Sequence, residues 1–186
     1  MSEPTRCWVT NDPLYNAYHD EEWGRPVVDE RGLLERLCLE GFQSGLSWLT
    51  ILRKRDNFRA AFADFDPERV ARFGERDVKR LLGDAGIVRH RGKIEAAIAN
   101  AKATLALRDA GTPLEALVWE YRADGPPPPP WHAQTEGSVE LSKRLRKAGF
   151  RFVGPTTVYA AMQACGIVND HLATCFVRDA VERDRR

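Results

Sequence analysis

An all-α fold follows from three features of this chain. Apolar residues recur at helical spacing along nearly its whole length, no stretch alternates apolar with polar residues as a half-buried strand does, and glycine or proline punctuates the periodic segments. At 186 residues and 43% hydrophobic content, the chain is expected to form one domain over residues 1–186 with a real core.

The elements can be taken in order. Asp29 to about Phe42 is a helix with Leu33, Leu34, Leu37 and Cys38 inward, and Ser47 to Phe62 is another. Asp66-Pro67 pairs an N-cap with proline at the first helical position and opens Glu68 to Phe73. Asp77 to Asp84 follows, ended by Gly86. Arg91 to Ala110 carries an apolar stripe of Ile94, Ala97, Ile98 and Ala101 before Gly111, and Leu114 to Tyr121 continues the count. The run Pro126 to Pro130 forbids helix and predicts an extended surface crossover. Beyond it, helix, hairpin, helix is expected over about 138–165: Ser138 to Ala148, the glycine-bounded Gly149 to Gly154, then Pro155 through Ala164.

Composition narrows the setting. No apolar run is long enough to span a bilayer and Met1 to Asp12 is polar, so no membrane partner and a cytoplasmic location are expected. Four cysteines do not make the dense framework of a secreted mini-domain, and Cys38 and Cys165 read as packing residues. The formal charge of +1 lacks the global excess of many nucleic-acid binders. Local runs differ: Lys143, Arg144, Arg146, Lys147 and Arg151 occur without an acid, and Arg89-His90-Arg91-Gly92-Lys93 is a second basic knot. Either run can meet a phosphate backbone, or be a solvated helix face. In the hairpin, Gly154 leads the backbone into a helix whose first amides form an anion site beside Lys147 and Arg151; an ordinary αα-hairpin is the competing reading.

Cys7 and His19 near one end, and His171 and Cys175 near the other, suggest a single metal tying the two segments together. A helical His171-x-x-x-Cys175 would put both ligands on one face, and two thiolates with two imidazoles suit zinc. Ordinary core residues are an equally weighted alternative, because free cysteine is commonly buried. Four protein ligands leave no open position, so the zinc would be structural.

Four stretches then carry a resemblance: DPLYNAYHDEEWG (Asp12 to Gly24), LCLEGFQSGLSW (Leu37 to Trp48), DAGIVRHRGKI (Asp84 to Ile94), and GFRFVG with MQACGIVNDH (Met162 to His171). In this order they resemble the 3-methyladenine-DNA glycosylases I, the Tag-type branch of the helix-hairpin-helix DNA glycosylases. The likeness spans nearly the full chain, with little to match between Thr112 and Gly137. It implies the helix-hairpin-helix glycosylase architecture and one structural zinc on Cys7, His19, His171 and Cys175. It also implies a partner, double-stranded DNA containing alkylated adenine, met by a monomer.

The resemblance further implies a pocket for a flipped base, since a glycosidic bond inside stacked duplex is out of reach. Trp8, Tyr15, Tyr18, Trp23 and Trp48 are its expected aromatic walls, suited to a cationic methylated adenine. Glu40 lies between Leu39 and Gly41 in an apolar helix end, where an acid is costly without a partner. It matches the family's base-recognition carboxylate, with Gln43 helping to position the base and Leu46 as the wedge that refills the stack. Superfamily relatives with lyase activity place a lysine after the hairpin glycine; here Pro155-Thr156-Thr157 stands there, implying a monofunctional hydrolase. The superfamily's usual acid falls at Asn169. A non-catalytic zinc-stapled DNA-binding module would use the same hairpin and basic runs.

Overall fold

In the computed structural model, which describes residues 5–124 and 132–185, every regular element is helical. The Asp12 carboxylate accepts the Tyr15 amide at 3.1 Å and opens α1 (Pro13–Ala17), which runs on as a wider π-type turn over Tyr18–Glu22. Asp29 caps α2 (Glu30–Gln43) by accepting from Gly32 N at 2.8 Å, and Ser47 caps α3 (Trp48–Ala61) through Thr50 N at 3.2 Å. Each cap satisfies an amide that the helix itself leaves orphaned.

The short α4 (Pro67–Val70) starts at the expected Asp66-Pro67 signal but stops three residues before Phe73. The next helix, α5 (Glu75–Gly83), begins two residues earlier than expected because the Asp77 carboxylate accepts from Gly74 N at 3.1 Å. His90 caps α6 (Arg91–Asp109), and α7 (Leu114–Trp119) follows. Thr135 caps α8 (Glu136–Lys147), Gly154 precedes α9 (Pro155–Ala164), and α10 (Arg178–Asp184) closes the described chain. The expected proline crossover, Pro126 to Pro130, lies outside the described residues.

Two features had no sequence signal. Ala63, Asp64 and Phe65 turn out of α3 with φ of 52°, 55° and 56°, a left-handed conformation costly for residues with a Cβ. Core packing holds it, since Phe65 is buried and stacks on Phe62 at 5.5 Å and 9°. The segment His171 to Cys175 is not helical, contrary to the spacing-based expectation.

Helix α2 is the centre of the fold and packs against α3, α6, α7 and α9, while α8 lies on α9. Surrounded on all sides, it is buried at Leu33, Leu34, Leu37, Cys38, Leu39 and Phe42. Each such large side chain contributes about 1.5–3 kcal/mol by leaving water. Gly41 lets α2 pack tightly on the α8–α9 hairpin: a Cβ there would sit 3.3 Å from Phe152 Cβ. A smaller aromatic cluster, built on Tyr18, Trp23, Leu52 and Ala164, stands apart from this core. No helix among the described residues is long and apolar enough to cross a membrane.

Candidate active site

The C-terminal half of α2 points Glu40 out of the main core into a cavity of about 200 Å³ that opens to the surface. Its wall brings together Trp8, Tyr15, Tyr18, Trp23, Gln43 and Trp48, every aromatic and amide position that the sequence had nominated. The rings support one another. Trp8 meets Tyr15 at 5.2 Å and Trp23 edge-on at 5.0 Å, and Tyr18 meets Trp48 at 5.4 Å. The indole Nε1 atoms of Trp8 and Trp48 are buried without a protein partner among the described residues.

Glu40 is 6% exposed, and no hydrogen bond or ion pair reaches its carboxylate among the described residues. Burial pushes its pKa from 4.5 up to about 8, with Arg36 pulling the other way. Burial likewise raises Tyr18 and Tyr15, so both phenols stay neutral donors. The cavity therefore holds π faces, neutral donors and one ionisable acceptor, a set that favours a flat cationic ring with an amino edge.

Two wall residues had no sequence signal, Ala160 and Gln163 of α9. Gln163 Nε2 donates to Asp170 Oδ2 at 2.7 Å, and Tyr159 Oη donates to the same oxygen, so Asp170 is engaged by α9. Asn169 is buried and faces away, donating to Arg178 O at 3.2 Å and Glu182 Oε2 at 3.0 Å.

Behind the aromatic wall, Cys7, His19, His171 and Cys175 converge, with one ligand atom from each lying within 4.8 Å of the others. Cys175 reaches the cluster through a turn, its amide donating to Leu172 O at 2.9 Å, where a helix had been expected. Cys7 Sγ to His171 Nδ1 is 3.3 Å, Cys175 Sγ to His171 Nδ1 is 3.4 Å and Cys175 Sγ to His19 Nε2 is 3.5 Å. Tetrahedral zinc with its ordinary bond lengths requires ligand separations of about 3.3–3.8 Å. The far imidazole nitrogens are already engaged: His19 Nδ1 with Asp20 Oδ1 at 2.7 Å, and His171 Nε2 with Trp23 O at 3.0 Å.

Burial drives the His171 pKa down to about 4, leaving the neutral imidazole a ligand must be. Burial and the neighbouring Cys175 thiol raise Cys7 to about 12, an arrangement that a bound dication would reverse. The cluster thus fits a metal. It also buttresses the cavity, because Trp8 lies edge-on to His19 at 4.6 Å and Trp23 edge-on to His171 at 4.6 Å.

The nominated surface residues lie on the α2–α3 loop and the α8–α9 hairpin. Leu46 is 40% exposed after Gly45, whose φ of +81° makes the loop's turn. Lys147 and Arg151 are exposed, whereas Arg144 is paired with Glu120, and Arg91 with Glu75 and Glu95. None of those three pairs was foreseen from the basic runs. Gly154 caps α9 without a side chain, so the first-turn amides keep no side-chain acceptor. Asn100 of α6, also without sequence signal, clamps the hairpin: its Oδ1 accepts Arg151 N at 2.7 Å and its Nδ2 donates to Arg151 O at 3.2 Å.

Comparison with known proteins bears on this geometry. Residues 8–178 match the family model described as methyladenine glycosylase. The DNA-3-methyladenine glycosylase 1 of Escherichia coli (strain K12) is 51% identical over 177 residues, covering 91% of this chain and 95% of that protein. A crystal structure of 3-methyladenine DNA glycosylase I (TAG) superposes with a TM-score of 0.89 at 50% identity, covering 92% of this chain and 98% of the other. A structure of the Staphylococcus aureus enzyme, described as the structural basis of its 3-methyladenine recognition, gives 0.85 at 36% identity, covering 91% and 93%.

Proposed function

The chain belongs to the methyladenine glycosylase family, and on that premise we propose that it is a DNA-3-methyladenine glycosylase that hydrolyses the N-glycosidic bond of 3-methyladenine in alkylated DNA. The observation carrying this reading is the unpartnered Glu40 carboxyl inside the aromatic cavity.

Methylation at N3 leaves the nucleotide's purine positively charged, so the base departs as a neutral molecule and needs little acid assistance. Breaking the C1′–N9 bond passes the bonding electrons to the base and leaves a cationic sugar. Water adds at C1′, loses a proton and yields an abasic site. No lysine is placed to intercept the sugar where Pro155-Thr156-Thr157 opens α9, in keeping with a monofunctional hydrolase.

Selectivity comes from the site. Before release, the cationic base lies between aromatic faces, and Glu40 accepts from its exocyclic amine. Charge complementarity lowers the pKa of Glu40 on binding, so the carboxylate forms as the cation arrives. Gln43 and the rings fix the base in its plane. The substrate is duplex DNA, whose damaged nucleotide is turned out while Leu46 fills the space left in the stack. Lys147, Arg151 and the α9 amides after Gly154 hold the backbone. One zinc on Cys7, His19, His171 and Cys175 acts as a structural staple; when bound, it fixes the two chain segments and the wall formed by Trp8 and Trp23. The protein works as a monomer in the cytoplasm.

Chromatographic identification of bases released from methylated duplex tests the reading. Free 3-methyladenine is expected, and its slower release by Glu40→Gln follows from the assigned role. Duplex binding with no base released would make the chain a binding module instead, a role for which the cavity has no use.

A further inference from the structure

Lys93 is a buried cation committed to main-chain oxygens. It is 9% exposed, and its Nζ donates to Phe42 O at 2.9 Å and Ser44 O at 2.6 Å. Burial holds its pKa below the ordinary lysine value. These carbonyls end α2, where intrahelical partners have run out and a cation meets the negative end of the helix dipole. Water would satisfy an exposed helix end at no desolvation cost, so a buried lysine here exchanges hydration for placement.

What it places is the loop after α2. Ser44 directly precedes Gly45-Leu46, and within the loop Leu46 N donates to Gln43 O at 2.7 Å while Gln43 Nε2 donates to Leu46 O at 3.1 Å. The turn is internally braced, and Lys93 joins it to α6. That helix start is itself fixed, since His90 Nδ1 accepts Lys93 N at 3.2 Å.

We infer that Lys93 is a positioning residue for DNA opening, tethering the Leu46 loop to α6 so that the leucine enters the base stack at a set depth. The inference rests on the reading of Leu46 as the wedge. The tether acts on insertion into duplex and not on recognition of a base already free.

Lys93→Met in the full chain tests it. Release of 3-methyladenine from methylated duplex is expected to fall about tenfold, the scale of a small misplacement. Release from methylated single strands, and quenching of tryptophan fluorescence by free 3-methyladenine, are expected to stay within about twofold. A 2-aminopurine placed beside an abasic-site analogue reports unstacking, and its fluorescence rise is expected to shrink in parallel. Leu46→Ala/Lys93→Met should be no worse than Leu46→Ala alone. Lys93→Gln, which keeps an amide NH2 on a shorter neutral stem, is run alongside in case the methionine variant does not fold, and the same duplex-confined loss is expected.

Equal losses on duplex, single strand and free base would overturn the inference, as would effects of Leu46 and Lys93 that multiply, or no effect at all. If Leu46→Ala itself leaves duplex release and 2-aminopurine unchanged, the wedge assignment is what fails.

Discussion

Arg36 stands one helical turn before Glu40, yet its guanidinium is bonded to Glu22, with Nη2 donating to Oε2 at 3.0 Å. Glu22 is also held by Arg55, at 2.5 and 2.8 Å. The i,i+4 spacing that ordinarily pairs an arginine with a glutamate on one helix is diverted to the turn after α1. Glu40 keeps Arg36's attraction at a distance, and its carboxyl is left to the cavity.

Base release should depend steeply on that carboxyl. Glu40→Gln removes a charge-assisted hydrogen bond of about 1.5–3 kcal/mol, so release from methylated DNA is expected to fall roughly 10- to 100-fold. Single-turnover rates on methylated duplex measure it.

The same substitution should stabilise the fold in a defined pH window. The unfolded carboxyl ionises near 4.5 and the folded one near 8, so the unfolded state sheds the proton first and stability falls as pH rises between those values. The Tm advantage of Glu40→Gln over the parent is expected to be absent below about 4.5 and to grow up to about 8, at about 2–4 °C per kcal/mol. A constant offset across that range would contradict the assignment.

Zinc content should be about one per chain by elemental analysis. Cys175→Ser or a strong chelator is expected to remove it and to lower Tm, and because Trp8 and Trp23 rest on the His19 and His171 imidazoles, the tryptophan fluorescence should change with it.

Arg151→Ala is expected to weaken duplex binding uniformly across sequences and to reduce the log K against log salt slope by about 0.9. Its side chain is exposed, so thermal stability should move little. An unchanged slope would remove Arg151 from the DNA surface.

Asn100→Ala should act differently at the same hairpin. It leaves the Arg151 amide and carbonyl without their buried partner, at a cost of about 1–3 kcal/mol. Denaturant midpoints should fall and DNA binding should weaken together.

Much of the site was readable because its chemistry depends on residue type. Glu40 stood out as an acid in an apolar helix end, and paired cysteines and histidines at both ends of the chain pointed to one another. The resemblance carried by the four motifs then supplied roles for the aromatic residues. Helix starts at Asp29, Ser47 and Asp66 were equally legible, because a cap is a local bond between a side chain and an amide two or three residues on.

Asn100 and Gln163 gave no such signal, and Lys93 gave a different one. Each takes its role only where another segment is brought against it: the hairpin for Asn100, Asp170 for Gln163, and the end of α2 for Lys93, which the basic run had offered to a phosphate and which is instead buried on main-chain oxygens. The same holds for the turn at Ala63 to Phe65, held left-handed by the burial of Phe65. By itself the sequence determined the helical class, most helix starts, the pairing of the Cys/His quartet and the carboxyl of the cavity. Only the tertiary structure decided that Arg36 turns to Glu22 and that the segment His171 to Cys175 is not helical. Local bonds and residue chemistry are written into neighbouring positions, whereas partners distant along the chain are chosen by packing.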